Sequence, residues 1–187
     1  AYMFAFCYDM VTKEHALQEV RTMIYTLTIN PAIDTLMFFD ALQKNRTNRA
    51  LRTMEDVGGK GTHVSMNLRL LGEESKAILT VGGHTGTRLL AMLREAGVQT
   101  EAIWVADMET RNNVILVEET GDCTILAQRG RRAEAQTLDW VLEALRAALV
   151  PGDFLVVCGD GGNCAWNIYP HIIKEFSQKQ IRVFLDT

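Results

Sequence analysis

Residues 57–65 combine residue types that can bind a polar or charged ligand. Gly58, Gly59 and Gly61 leave the backbone open to close approach by such a ligand. A helical pattern follows directly, and the start of a helix offers free N–H groups and the positive end of a dipole to an anion. Lys60 adds a full positive charge. The stretch predicts either a loop that holds a phosphate or the hydroxyls of a polar small molecule, or a glycine turn with a solvated lysine.

Two familiar nucleotide-binding motifs are excluded in this stretch. A P-loop has the pattern G-x-x-x-x-G-K-[ST], but Met54 stands at its first glycine and Gly61 at its final Ser or Thr. The dinucleotide fingerprint G-x-G-x-x-G, begun at Gly59, fails because Val64 stands at its third glycine. An NAD-binding Rossmann protein is therefore disfavoured.

Composition narrows the class of protein. The chain has 187 residues, 48% of them hydrophobic, and a net charge of −4, which suits one globular domain or most of one. The mild acidity gives no electrostatic signal for nucleic acid, and no apolar run reaches the roughly 18 residues of a membrane helix. The four cysteines and four histidines lack the spacing of a metal site, so we expect no metal ligands and reduced thiols in a cytoplasm. They are Cys7, Cys123, Cys158, Cys164, His15, His63, His84 and His171.

Both ends of the sequence differ from those of a typical complete domain. The first residue is Ala1, and the last, Thr187, directly follows an apolar run that reads as a buried strand. Residues 1–22 do not match the pattern that follows them, and they lack the basic start and the small-residue cleavage site of a signal peptide. We expect an extension of unassigned role at 1–22 and a portion of a longer domain at 23–187.

The remaining chain alternates between strand and helix patterns. Strands are predicted at 24–29, 49–55, 76–81, 101–105, 113–118, 123–128, 154–158 and 181–185, and helices at 62–71, 87–96, 138–149 and 165–178. This alternation predicts an α/β fold with a Rossmann-like parallel sheet flanked by helices. The hairpin-like segments near 34–55 and 111–128 interrupt the alternation, and they predict a small antiparallel sheet that stands off the main one.

The polar and glycine-rich segments follow predicted strands or turns. Ligands of such folds bind at the carboxyl ends of the parallel strands. Asp34, the glycine stretch at 58–61, Gly82 with Gly83, and the turn at 159–162 are all in such places. We therefore expect them to gather at one edge of the sheet.

The order of these motifs resembles the PfkB-type sugar kinases of the ribokinase-like fold, nearest the branch of 1-phosphofructokinase and tagatose-6-phosphate kinase. The resemblance covers residues 23–187, and it implies that they form the N-terminal portion of such a kinase domain. Its motifs are 23–34 (MIYTLTINPAID), 58–61 (GGKG), 82–86 (GGHTG), 110–113 (TRNN) and 185–187 (LDT). It implies ATP-dependent phosphorylation of a sugar or sugar phosphate with Mg²⁺, and a β-sheet lid over the sugar, formed by the segments at about 34–55 and 111–128.

The resemblance also implies roles for seven residues. Asp34 and Asn113 are expected to contact the sugar, and the backbone of Gly58 and Gly59 to lie against it. Lys60 and Arg111 are expected near the sugar phosphate. His63 is expected to make a sugar contact or a contact at the helix start. Each role has an alternative from the residues alone. Asp34 could cap the turn that follows the first strand, Lys60 could be solvated, and Arg111 could pair with Glu109 or Glu118.

Two departures from the family pattern limit these expectations. Members usually carry a Ser-Gly-Ser-x-Pro-Pro-Gly type turn where residues 158–164 read CGDGGNC. The Gly-x-Gly-Asp turn that supplies the catalytic base and anion hole is not found in this sequence, so no catalytic residue is assigned and ATP binding by this chain is doubtful. The alternative is a non-catalytic fragment that binds a sugar phosphate or a partner. A fragment of this kind would leave one edge and one face of its sheet uncovered. We therefore expect it to self-associate, to form a homodimer through the lid, to recruit a partner or to misfold.

Overall fold

The structure is a computed structural model, and it describes residues 22–130, 132–159, 161, 164 and 167–186. The predicted extension at 1–22, except Thr22, lies outside these residues, as do Thr187 and parts of the turn at 158–164. The described elements are β1 (Ile24–Thr28), β2 (Ala32–Phe39), β3 (Arg52–Gly58), α1 (Lys60–Leu70), β4 (Ser75–Val81), α2 (Gly83–Glu95), β5 (Gln99–Trp104), β6 (Arg111–Glu118), β7 (Cys123–Leu126), α3 (Ala135–Ala148), β8 (Phe154–Cys158), α4 (Tyr169–Gln178) and β9 (Arg182–Asp186).

Five strands form a wholly parallel sheet in the order β5-β4-β1-β8-β9. Helices α3 and α4 cover one face, where Leu27, Leu155 and Phe176 are among the buried side chains. Helix α2 packs on the other face through Leu89 and Leu93. Because side chains alternate along a strand, β1 turns Leu27 to the first face and its threonines to the second. The predicted α/β fold is confirmed.

Four strands form a second sheet in the order β3-β2-β6-β7. The sequence predicts this sheet as antiparallel, but the structure makes it mixed, because β2 and β6 pair in parallel from Ala32↔Arg111 to Phe39↔Glu118. The reason lies in the connections. Strand β2 follows β1, and β6 follows β5. Because β1 and β5 are parallel, both connections start from the carboxyl ends of main-sheet strands, and β2 and β6 run in the same direction.

Two boundaries near the glycine motifs differ from the sequence prediction. Strand β3 continues to Gly58, because its ladder with β2 extends to the pair Ala32↔Gly58. Helix α2 begins at Gly83, inside the predicted glycine turn, with extended Gly82 as its N-cap. Both glycine motifs thus lead directly into a helix start. Within the described ranges, no helix is long and apolar enough to cross a bilayer.

Candidate functional site

A cleft of about 230 Å³ opens at the carboxyl ends of the main strands, beside the second sheet. Strands β1 and β8, the first turn of α1 and the first residue of β6 form its walls. Its lining residues are Thr28, Asn30, Gly59, Lys60, His63, Arg111, Cys158 and Gly159. Of the segments predicted to gather at this edge, only 58–61 and 159–162 contribute lining residues, whereas Asp34 and the turn that begins at Gly82 do not. Three substrate-binding candidates besides Gly59 line the cleft: Lys60, His63 and Arg111.

The first turn of α1 borders this cleft through Gly59, Lys60 and His63. Gly59 precedes the helix at φ +110°, a conformation that glycine adopts without steric cost. The N-cap receives no side-chain bond, and the first turn carries no acidic residue. His63 N donates to Gly59 O at 3.1 Å, so the amides before it lack partners within the helix. The positive end of α1 is therefore not neutralised by its own sequence.

Lys60 is the first residue of α1, and it pairs with the last residue of β9. Its Nζ lies 3.2 Å from Asp186 Oδ1, and both side chains are more than half exposed. The lysine is thus partnered rather than merely solvated. An exposed pair of this kind contributes at most about 1 kcal/mol, so an anionic ligand in the cleft can compete for the ammonium group.

Arg111 reaches the cleft from β6 and is fixed by backbone carbonyls. Its Nη2 donates to Asn30 O at 2.7 Å and its Nη1 to Gln128 O at 3.3 Å. Its Nε is buried and has no hydrogen-bond partner. The alternative pairs with Glu109 and Glu118 do not form; those carboxylates accept bonds from Thr85 N and Leu42 N respectively.

Asp34 and Asn113 face each other across the parallel ladder of β2 and β6. Asn113 Nδ2 donates to Asp34 Oδ1 at 2.7 Å, and Gln128 N donates to Asn113 Oδ1 at 3.1 Å. A side chain on Gly58 would begin 2.7 Å from Asp34 Oδ1, so the carboxylate packs on bare backbone. Asp34, Asn113 and Gly58 form one cluster in the second sheet, but none of them lines the cleft that holds Lys60 and Arg111.

His63 and Cys158 also line the cleft. His63 is exposed, and its Nε2 donates to the carbonyl oxygen of Val57. Burial raises the pKa of the Cys158 thiol, and the nearby carboxylate of Asp186 raises it further. Cys158 is thus a neutral thiol at neutral pH, which disfavours it as a nucleophile.

Four lining residues had no predicted site role, namely Thr28, Asn30, Cys158 and Gly159, and Thr28 has the most informative side chain. It ends β1 with its side chain 3% exposed, and its buried Oγ1 has no hydrogen-bond partner. A hydroxyl at the carboxyl end of a central strand, just before Asn30, is the only sequence signal for it. Within the described part of the chain, no group of three His, Cys, Asp or Glu side chains could hold a metal ion.

The sequence profile described as "pfkB family carbohydrate kinase" matches residues 27–185. The chain is 33% identical over 165 residues to the 1-phosphofructokinase of Bacillus subtilis strain 168, and 30% identical over 165 residues to the D-tagatose-1-phosphate kinase of Klebsiella oxytoca. Each alignment covers 88% of this chain and 53% of the relative. The chain thus spans about half the length of these relatives.

Solved structures of phosphofructokinases share the fold of this chain. A structure assigned as a phosphofructokinase from Staphylococcus aureus matches with a TM-score of 0.77 and 29% identity, over 87% of this chain and 52% of that one. The phosphofructokinase-2 of Escherichia coli in complex with fructose-6-phosphate matches with a TM-score of 0.79, over 89% of this chain and 55% of that one. Its 22% identity supports a shared fold alone.

Proposed function

The chain belongs to the pfkB family of carbohydrate kinases, and we propose that it supplies the sugar-phosphate side of a 1-phosphofructokinase-like active site. At the level of the whole protein, the proposed reaction is transfer of a phosphoryl group from ATP to a hydroxyl of a sugar phosphate. Both relatives named above carry a kinase name, and one is a 1-phosphofructokinase. The substrate and the activity remain proposals, since this chain spans about half of each relative.

One observation carries the proposal: two cations and a helix start converge on one cleft. Lys60 and Arg111 line it, and so does Gly59, which precedes the free amides at the start of α1. All of these groups are hydrogen-bond donors, and Arg111 Nε is buried without an acceptor. A phosphate ester would satisfy these donors, whereas a neutral ligand would leave the charge of Arg111 without a counter-charge.

The sugar itself is assigned to the neighbouring cluster in the second sheet. We assign Asp34 and Asn113 to sugar hydroxyls and the backbone at Gly58 and Gly59 to close contact with the ring. His63, exposed at the cleft, is assigned to a further polar contact. The mutual bond between Asn113 Nδ2 and Asp34 Oδ1 fixes both side chains, which would pre-organise them for a ligand. The second sheet is assigned as the lid over the sugar.

The residues of this chain would bind and orient the sugar phosphate and exclude water from it. The family uses ATP and Mg²⁺, which supply the phosphoryl group and neutralise its charge. The described residues offer no group of three carboxylate, imidazole or thiol ligands for the metal, so no step is assigned to it. Of the carboxylates near the cleft, Asp34 accepts a bond from Asn113 and Asp186 pairs with Lys60. Both carboxylates are thus engaged with other side chains, and no base for the attacking hydroxyl is assigned among the described residues.

This last point favours a second candidate function, binding of a sugar phosphate without phosphoryl transfer by the 187-residue chain alone. A coupled assay of ADP release separates the two candidates. Fructose 1-phosphate, fructose 6-phosphate, tagatose 1-phosphate and tagatose 6-phosphate serve as substrates. Sugar-dependent ADP release assigns the kinase activity to this chain, and binding without release assigns binding alone.

Binding itself is tested by calorimetry with the same sugar phosphates, and with fructose as the neutral ligand. Replacing Lys60→Met removes one contact to a charged group, so we expect roughly tenfold or greater loss of affinity for a sugar phosphate. Lys174→Met is the matched control, because it removes the same charge from the exposed side of α4. Equal affinity in all three proteins, or tighter binding of fructose than of its phosphates, contradicts the proposal.

A further inference from the structure

Two threonines of β1 point toward α1, and they differ in one respect. Thr26 and Thr28 are both buried, and their spacing of two residues puts them on the same face of the strand. Thr26 Oγ1 is hydrogen-bonded to Ser65 Oγ at 2.8 Å. Thr28 Oγ1, one step nearer the cleft, has no partner. The two side chains can therefore be compared directly, because one hydroxyl has a hydrogen-bond partner and the other has none.

The surroundings of Thr28 show where its hydroxyl lies. A side chain on Gly61 would clash with Thr28 Oγ1, and one on Gly59 would begin 3.2 Å from Thr28 Cγ2. The hydroxyl thus occupies space beneath the first turn of α1 that only glycine leaves open. Thr28 lines the cleft through this position.

Among the described residues, only two buried side-chain polar atoms lack a hydrogen-bond partner, and both belong to residues that line the cleft. They are Thr28 Oγ1 and Arg111 Nε. A buried polar group without a partner destabilises the protein, whereas valine would fill almost the same volume without that cost. Two such atoms in one cleft indicate groups that are completed by a bound ligand.

We propose that Thr28 is a ligand-contacting residue whose hydroxyl donates a hydrogen bond to an anionic oxygen held at the start of α1. This inference rests on the proposed function, and it adds a residue that determines affinity for the phosphate. The direction of the bond follows from the neighbours. Arg111 Nε, Lys60 Nζ and the helix amides can only donate, so the ligand oxygen that they bind is an acceptor, and the hydroxyl is its remaining donor.

The test compares Thr28→Val with Thr26→Val, and it measures affinity and thermal stability together. Thr28→Val is expected to weaken binding of inorganic phosphate and of fructose 1-phosphate about tenfold, while the melting temperature stays equal or rises. Thr28→Ser, which keeps the hydroxyl, is expected to bind within about threefold of the parent protein. Thr26→Val is expected to leave affinity unchanged but to lower the melting temperature, because Ser65 Oγ loses its partner.

Each outcome decides the matter. Unchanged phosphate affinity in Thr28→Val overturns the role of Thr28, and so does a loss of stability equal to that of Thr26→Val, which would reveal a structural partner. If the parent protein binds phosphate but not sugar phosphates, the assignment of Thr28 is still tested and the proposed function fails. If the parent protein binds neither, both proposals fail.

Discussion

Gly58 shows how a single missing side chain sets the geometry of the proposed sugar-binding cluster. The carboxylate of Asp34 lies against the Gly58 backbone, and its Oδ1 would be 2.7 Å from a Cβ atom there. Asn113 holds the same oxygen from the opposite side. The position of the carboxylate is therefore determined by two contacts, one of them possible only with glycine.

We predict that Gly58→Ala weakens sugar-phosphate binding about tenfold or more, while inorganic phosphate binds normally. The added methyl group displaces the Asp34 carboxylate, which a flexible side chain permits at modest cost in stability. Phosphate should be unaffected, since Asp34 does not line the cleft of Lys60 and Arg111. Calorimetry with fructose 1-phosphate and inorganic phosphate measures both. An equal loss for the two ligands would mean that the change distorts the start of α1 instead.

At the scale of elements, the contact between α3 and α4 depends partly on charge. Arg146 of α3 donates two bonds of 2.8 Å to the carboxylate of Glu175 on α4, and Lys179 adds one of 2.7 Å. The bonds from Arg146, followed by those from Lys179, lower the pKa of Glu175 to about 2. A carboxyl group whose pKa is lower in the folded state stabilises the fold above its unfolded pKa. That contribution disappears as the pH falls through its folded pKa.

We predict a corresponding pH dependence for Glu175→Gln. At pH 7 the variant should be less stable than the parent protein by at most about 1 kcal/mol, because the pair is partly exposed. The difference should shrink between about pH 4.5 and about 2, where the parent carboxylate becomes protonated. Urea unfolding of both proteins across this range measures the difference. A gap that stays constant with pH would mean that Glu175 acts through packing and not through its charge.

The elements that sequence could predict are those with local signals. The runs that became β1, β4 and β8 are apolar and bounded by turns, so the parallel sheet and its helices were predictable. The parallel pairing of β2 with β6 was not, because local periodicity carries no information about which distant strands become neighbours. The start of α2 could not be predicted either, because its N-cap residue, Gly82, has no side chain that could signal a cap.

The candidate site likewise has some features that the sequence could predict and others that it could not. The family motifs pointed to Lys60 and Arg111, which the structure brings into one cleft. The carbonyl partners of Arg111 could not be predicted, because they lie in other segments, at Asn30 and Gln128. Thr28 was missed for a physical reason: a threonine in a strand is ordinary, and only the folded chain reveals that its hydroxyl has no partner.

At the scale of the molecule, the cleft lies where the two sheets meet, and a different surface remains apolar. That surface, the β9 groove, has a volume of about 340 Å³ and is lined by Ile24, Val64, Leu68, Phe154, Val156 and Phe184. Phe184 is 53% exposed, on the edge strand of the main sheet. An edge strand with an exposed apolar face is prone to pair with another chain.

We predict that the protein self-associates through the β9 groove, and that Phe184→Lys shifts it toward the monomer. A lysine on an edge strand opposes pairing with a second strand. Light scattering after size-exclusion chromatography, over a range of protein concentrations, measures the mass. Trp140→Lys is the matched control, because it makes a similar change at a partly exposed residue of α3, a helix that covers the other face of the sheet. The β9 groove is excluded as the contact if both variants dissociate equally, or if the parent protein is monomeric throughout. Affinity for phosphate should be the same in all three proteins, since neither residue lines the cleft.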